Sequence, residues 1–164
     1  LGWSSPRYHQ LLGLDVFVPV GDYDKDHLFN PGRNTWAYGP WYSFTAYPLE
    51  NLEVSAKLIY MINGENSDTH YRSGREFNAD YNIGYNITRE WQVGVNGYLY
   101  KQLTDDEKNG QTYLDGNRGQ VAAIGPAIKY QTPAIGFVMK WQHETLVENR
   151  AEGDRIWLQA VYRF

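Results

Sequence analysis

From Arg155 to Phe164 the chain alternates with a period of two. Ile156, Leu158, Ala160, Tyr162 and Phe164 are apolar or aromatic, while Arg155, Gln159 and Arg163 lie between them. Successive side chains of a strand point to opposite faces, so this segment has one greasy face and one polar face. Eight such segments fall at 8–20, 34–47, 52–62, 75–86, 91–102, 120–130, 134–144 and 155–164. In the fourth, Phe77, Ala79, Tyr81, Ile83 and Tyr85 oppose Glu76, Asn78, Asp80, Asn82 and Asn86. In the seventh, Ile135, Phe137, Met139 and Trp141 oppose Lys140, Gln142 and Glu144. No segment repeats every 3.6 residues, so helix is a minor component at most.

Two further features narrow the choice of fold. Most segments run about 10–13 residues, longer than the usual globular strand and close to the length that crosses a bilayer. The connections at 21–33, 63–74, 103–119 and 145–154 are long and polar, whereas those at 48–51, 87–90 and 131–133 are short. Outer-membrane barrels alternate in this way between external loops and tight periplasmic turns. The expected fold is therefore all-β: one domain over 1–164, an antiparallel transmembrane β-barrel with eight strands in this chain and its C-terminus on the periplasmic side. A lipocalin-like barrel or a β-sandwich also alternates, with its apolar face inward. Period alone does not say which face is outside.

Composition agrees with the membrane reading. Aromatics reach 16%, with 14 Tyr and 6 Trp, and aromatic belts at the two bilayer interfaces would account for the excess. No apolar run is long enough for a transmembrane helix, and a mean hydropathy of -0.60 suits strands that are half polar. A net charge of -4 argues against nucleic acid as a partner. There is no Cys for disulfides or thiolate metal sites. The chain opens on Leu with no charged-then-apolar leader, so the expectation is a removed signal peptide or missing upstream residues.

Several stretches resemble one bacterial family. They are PVGDYD (Pro19 to Asp24), YRSGREFNADYNIGYNIT (Tyr71 to Thr88), GYLYKQLTDD (Gly97 to Asp106), IGPAIKY (Ile124 to Tyr130) and ENRAEGDRIWLQAVYRF (Glu148 to Phe164). They are similar to the outer-membrane channel family of the MetA pathway of phenol degradation. The terminal strand, with Tyr162 two residues before Phe164, also resembles the signal strand that ends bacterial outer-membrane barrels. The resemblance implies a channel in the Gram-negative outer membrane, linked to uptake of aromatic or other apolar growth substrates. It implies outer-membrane lipid and lipopolysaccharide as surroundings, and barrel-assembly machinery that reads the C-terminal strand. It also implies a barrel of more than eight strands, of which this chain would be the C-terminal part of twelve. The start at LGWSSP, which resembles a periplasmic turn between two strands, fits such a truncation. A closed eight-stranded barrel would be about filled by side chains, leaving no pore.

The expected lumen face gathers Asp15, Glu53, Lys57, Glu76, Asp80, Lys129, Lys140, Glu144, Arg155 and Arg163. With five acids and five bases, this lining is either a salt-bridge lattice that holds the wall or a selectivity filter for polar or anionic solutes. Ile156, Leu158, Ala160, Tyr162 and Phe164 are expected to face lipid. Asp22, Asp24 and Asp26 have the spacing of a calcium loop but lack its Gly and distant Glu, so no metal site is expected. His9, His27, His70 and His143 show no ligand spacing. A hydrolase would need a Ser–His pair with an orienting group, and no serine is placed to face His143. The expectation is a passive channel without catalysis or cofactor. A small closed barrel with a structural or adhesive role and a soluble barrel for an apolar ligand are the alternatives. Pro19, Pro40 and Pro126 fall inside predicted strands, where each removes a ladder hydrogen bond. They mark either bulges and strand ends or a wall defect through which an apolar solute leaves sideways.

Overall fold

The computed structural model describes residues 1–164. The chain folds into twelve strands: β1 (Gly2–Ser5), β2 (Tyr8–Phe17), β3 (Ala37–Leu49), β4 (Leu52–Asn63), β5 (Tyr71–Arg72), β6 (Glu76–Asn86), β7 (Trp91–Gln102), β8 (Glu107–Lys108), β9 (Gln111–Thr112), β10 (Gln120–Gln131), β11 (Ile135–Glu148) and β12 (Asp154–Tyr162). Nine form one antiparallel sheet in the order β1-β2-β3-β4-β6-β7-β10-β11-β12. Every neighbour in that order is next in sequence among the nine, so the wall is a meander of hairpins. β5, β8 and β9 form a separate three-stranded sheet within the long loops. The two outer strands of the large sheet, β1 and β12, each pair on one side alone.

The eight expected wall strands are all present, and β1 adds a ninth. Gly2–Ser5 carries no alternation of its own. It is drawn into the sheet by the edge of β2, with Gly2 opposite Leu11 and Ser4 opposite His9. Three expected boundaries also move. Segment 8–20 ends at Phe17, so Pro19 lies outside any strand. Segment 34–47 begins only at Ala37, after Asn34 takes a positive φ of 52°. β11 runs on to Glu148, opposite Gln120. The connection expected at 145–154 therefore shrinks to 149–153, and the strand absorbs Leu146 at a φ of 53°.

Pro40 and Pro126 do lie within strands, each preceded by Gly. Pro40 keeps its place opposite Leu14, but the pairing with β4 passes from Tyr38–Ile62 to Trp41–Ile59. Pro126 lies opposite Val95, while the pairing with β11 passes from Ile124–His143 to Ala127–Lys140. Each proline thus interrupts the ladder on the side where its missing N–H would have donated.

The register sorts the side chains into two faces. Ser43, Lys57, Asp80 and Tyr98 lie in one cross-strand row. Asn96 lies one pair further along the same face, opposite Asn82. Residues from β1, β2, β3, β4, β6, β7 and β11 on this face line one cavity of about 650 Å³, including Ser4, His9, Asp80, Asn96 and Lys140. A flat sheet would hold those strands far apart, so the polar face is concave. The opposite face is apolar and open: Leu158 is 75% and Ile156 66% exposed, against 1% for Asn96. This is the inverse of a soluble barrel, whose apolar side chains fill the inside.

Candidate functional site

All ten charged residues expected to share a face do so by strand parity, but they do not form one lattice. Two ion pairs link them: Lys129–Glu53 at 3.5 Å and Arg155–Glu144 at 3.0 Å. The others take different partners. Asp15 accepts from the Trp41 indole N–H at 3.0 Å. Lys57 stands over the Trp41 ring, 4.9 Å from its centre. Glu76 accepts from Asn63 Nδ2 at 3.2 Å. Glu53 also accepts from Gln92 Nε2 at 3.0 Å. Asp80 and Lys140 both border the central cavity and the recess above it. Arg163 lies near the short-turn rim, lining a third cavity of about 590 Å³ with Lys129, Arg89 and Glu90.

Between the charges runs a layer of amides. Gln142 Nε2 donates to Asn96 Oδ1 at 2.6 Å, and Asn96 Nδ2 donates to the Gly125 carbonyl at 3.2 Å. Asn96, Gln142, Gln92 and Gln102 are all buried, and each finds a partner, as buried amides must. Tyrosines share this face. Tyr98 donates its O–H to Glu144, whose carboxylate is almost wholly enclosed, and the Arg155 guanidinium lies 4.7 Å above the Tyr98 ring. Arg150, from the 149–153 connection, stacks 3.9 Å above Tyr100. With Trp157 these residues border a recess of about 430 Å³. Tyr98, Tyr100, Arg150 and Trp157 were not among the expected lining. The signal was there: Tyr98 and Tyr100 share parity with Asn96 and Gln102, and Trp157 with Arg155 and Gln159. Aromatic belts therefore do not account for all the aromatic excess.

The long loops are tied together at one end of the concave face. Asp106 is buried and accepts from the Tyr71 O–H, the Gly74 N–H at 2.9 Å, Gln102 Nε2 at 2.7 Å and Asn117 Nδ2 at 2.8 Å. Gln102 ends β7 on the concave face, opposite Glu76. The carboxylate therefore fixes loops 64–75 and 103–119 above the lumen side of the wall. Arg72 pairs with Glu107 across the small sheet, and Tyr71 meets Tyr113 edge-on at 5.5 Å. Burial, then the bond to Asp106, pushes the Tyr71 phenol up to about 12. A cavity of about 570 Å³ lies among these loops and loop 18–36, bordered by Tyr23, Arg33, Glu76 and Lys108.

The remaining candidates are dispersed. Asp24 receives the Asp26 N–H at 2.9 Å and lies 3.5 Å from His27, so it closes its own turn. His70 meets Glu65, and His143 meets Asp154. Ser4 Oγ bonds His9 Nδ1 at 2.5 Å, a pairing created by the β1–β2 register. No carboxylate orients that ring, which packs edge-on against Tyr47.

Comparison with known proteins adds to this geometry. A family model described as "Putative MetA-pathway of phenol degradation" matches residues 1–160. The solved structure of an outer membrane channel from Pseudomonas putida F1 superposes with a TM-score of 0.72 at 13% identity, covering 93% of this chain and 57% of that one. The wall is thus an antiparallel barrel wall of the outer-membrane channel type, and the chain spans little more than half the length of that channel. No curated protein matches.

Proposed function

Because the chain belongs to the family of the MetA pathway of phenol degradation, we propose that it forms part of an outer-membrane channel for passive entry of small molecules, aromatic growth substrates among them. The observation that carries this reading is the inversion of the faces. A concave polar face lined by ion pairs, amides and tyrosines offers a path for solutes, and the exposed apolar face matches hydrocarbon. Asp15, Glu53, Lys57, Glu76, Asp80, Lys129, Lys140, Glu144, Arg155 and Arg163 would line that path. Ile156, Leu158, Ala160, Tyr162 and Phe164 would face lipid, with the last strand read by the barrel-assembly machinery and the loops meeting lipopolysaccharide. The solute moves down its own gradient, filtered by lumen width, lining charge and the long loops. No step needs a cofactor or a catalytic residue. Conductance in planar bilayers tests the reading: discrete ohmic steps support it. A protein that inserts into vesicles yet neither conducts nor passes a small aromatic solute refutes it.

A further inference from the structure

Two cations in the recess form no ion pair. Arg155 is matched by Glu144 at 3.0 Å. Asp80 borders the same recess, opposite Lys57 in the strand register, but the two form no ion pair within 4.0 Å. Neither Arg150 nor Lys140 has a carboxylate within 4.0 Å. Both border the same recess of about 430 Å³.

The surroundings of these cations are aromatic. The Arg150 guanidinium carbon lies over the Tyr100 ring, 3.9 Å from its centre. Trp157 lies directly opposite Lys140 in the register. It lies on the polar face, at the same parity as Arg155 and Gln159. A guanidinium fork suits a carboxylate, bound through two parallel hydrogen bonds. The Trp157 indole suits a flat ring.

We infer that this recess is a binding station for small arene carboxylates, in which Arg150 and Lys140 hold the anion and Trp157 flanks the ring. The inference rests on the channel reading, since it names a solute class for the same lumen. Recesses of this volume are of the size that holds small ligands. The station sits beneath the loops held by Asp106, where an entering solute first meets the wall.

The test uses the detergent-solubilised protein and three probes: benzoate, benzamide (ring without charge) and acetate (charge without ring). Calorimetry should show benzoate binding about tenfold or more tighter than either comparator, because a charged bidentate contact and a stacking contact act together. Arg150→Gln and Lys140→Gln should each weaken benzoate several-fold and leave benzamide little changed. Equal affinity for benzoate and benzamide, or benzoate binding indifferent to Arg150→Gln, would overturn the station. The probe comparison needs no variant, so a misfolded mutant does not remove the test. Conductance in KCl reports the channel separately. A conducting protein that ignores benzoate sinks the station alone, and one that binds benzoate without conducting sinks the channel reading alone.

Discussion

Four donors converge on Asp106, of which Gln102 Nε2 also reaches the Thr104 carbonyl at 3.0 Å. The Tyr71 O–H, the Gly74 N–H and the amides of Gln102 and Asn117 all point at one buried carboxylate. Asp106→Ala would strip the Tyr71, Gly74 and Asn117 donors of this acceptor, loosening the mouth by about 2–3 kcal/mol. Amide exchange across 70–75 and 103–117 should then quicken roughly 30- to 160-fold, while β6 and β7 keep their protection. The same cluster responds to alkali. The phenol of Tyr71 is raised from 10.0 to about 12, so the neutral form is the one the folded mouth prefers. That preference contributes fully below the unfolded value of 10.0 and is lost as pH rises through about 12. The loops should stay ordered at neutral pH and open at strongly alkaline pH, as followed by the ultraviolet absorbance of tyrosinate beside loop proteolysis. Glu144→Gln acts on the lining instead. It removes the charge that matches Arg155, so the recess gains a third unmatched cation. Reversal potentials in a KCl gradient should shift toward anions, and an unchanged potential would place Glu144 off the conducting path.

At the scale of the strand, glycine and aromatic residues fit together. Tyr81 lies opposite Gly97 and donates its O–H over it to the Ala123 carbonyl at 3.1 Å. A Cβ on Gly97 would collide with both the Tyr81 ring and that carbonyl. Trp41 covers Gly13 in the same way on the concave face. Such pairs let an aromatic ring fill the space of a missing side chain and pin the register. Gly97→Val should lower stability by about 1–3 kcal/mol in urea titrations, the usual range for overpacking. Gly153, with nothing around its Cβ position, should tolerate Ala almost freely. The parity of the long strands was legible in advance because each carries five or six alternating residues. β1 was not, because Gly2, Trp3, Ser4 and Ser5 hold no pattern and pair only because β2 offers an edge. The small loop sheet was hidden in part for a related reason: Tyr71–Arg72 meets Glu107–Lys108 from a different loop, although the Asn109–Gly110 turn between β8 and β9 is a local hairpin signal. The expected lining gathers charged residues alone and so omits Tyr98, Tyr100 and Trp157, although their parity places them on the polar face. The interrupted ladders at Pro40 and Pro126 leave the sideways exit as a proposal. Replacing either proline with Val and measuring solute uptake decides it, with unchanged uptake in an intact barrel ruling it out.

For the whole molecule, the decisive question is which face meets hydrocarbon. The nine-stranded wall offers Leu158 on one face of β12 and Gln159 on the other, with adjacent backbones and equal distance from the rims. Leu158 is opposite Met139, within an apolar row that includes Ile128. Gln159 is opposite Val138, on the face that carries Lys129. An arginine on the lipid face of a barrel costs about 2–4 kcal/mol near the bilayer centre, and far less where water can reach it. Leu158→Arg should therefore destabilise the protein by that amount when it is unfolded from lipid vesicles, while Gln159→Arg should cost less than about 1 kcal/mol. The two variants differ by one position and carry the same charge, so propensity and net charge cancel between them. If Gln159→Arg were the costly one, the concave face would be the dry one, and no solute path could run along it.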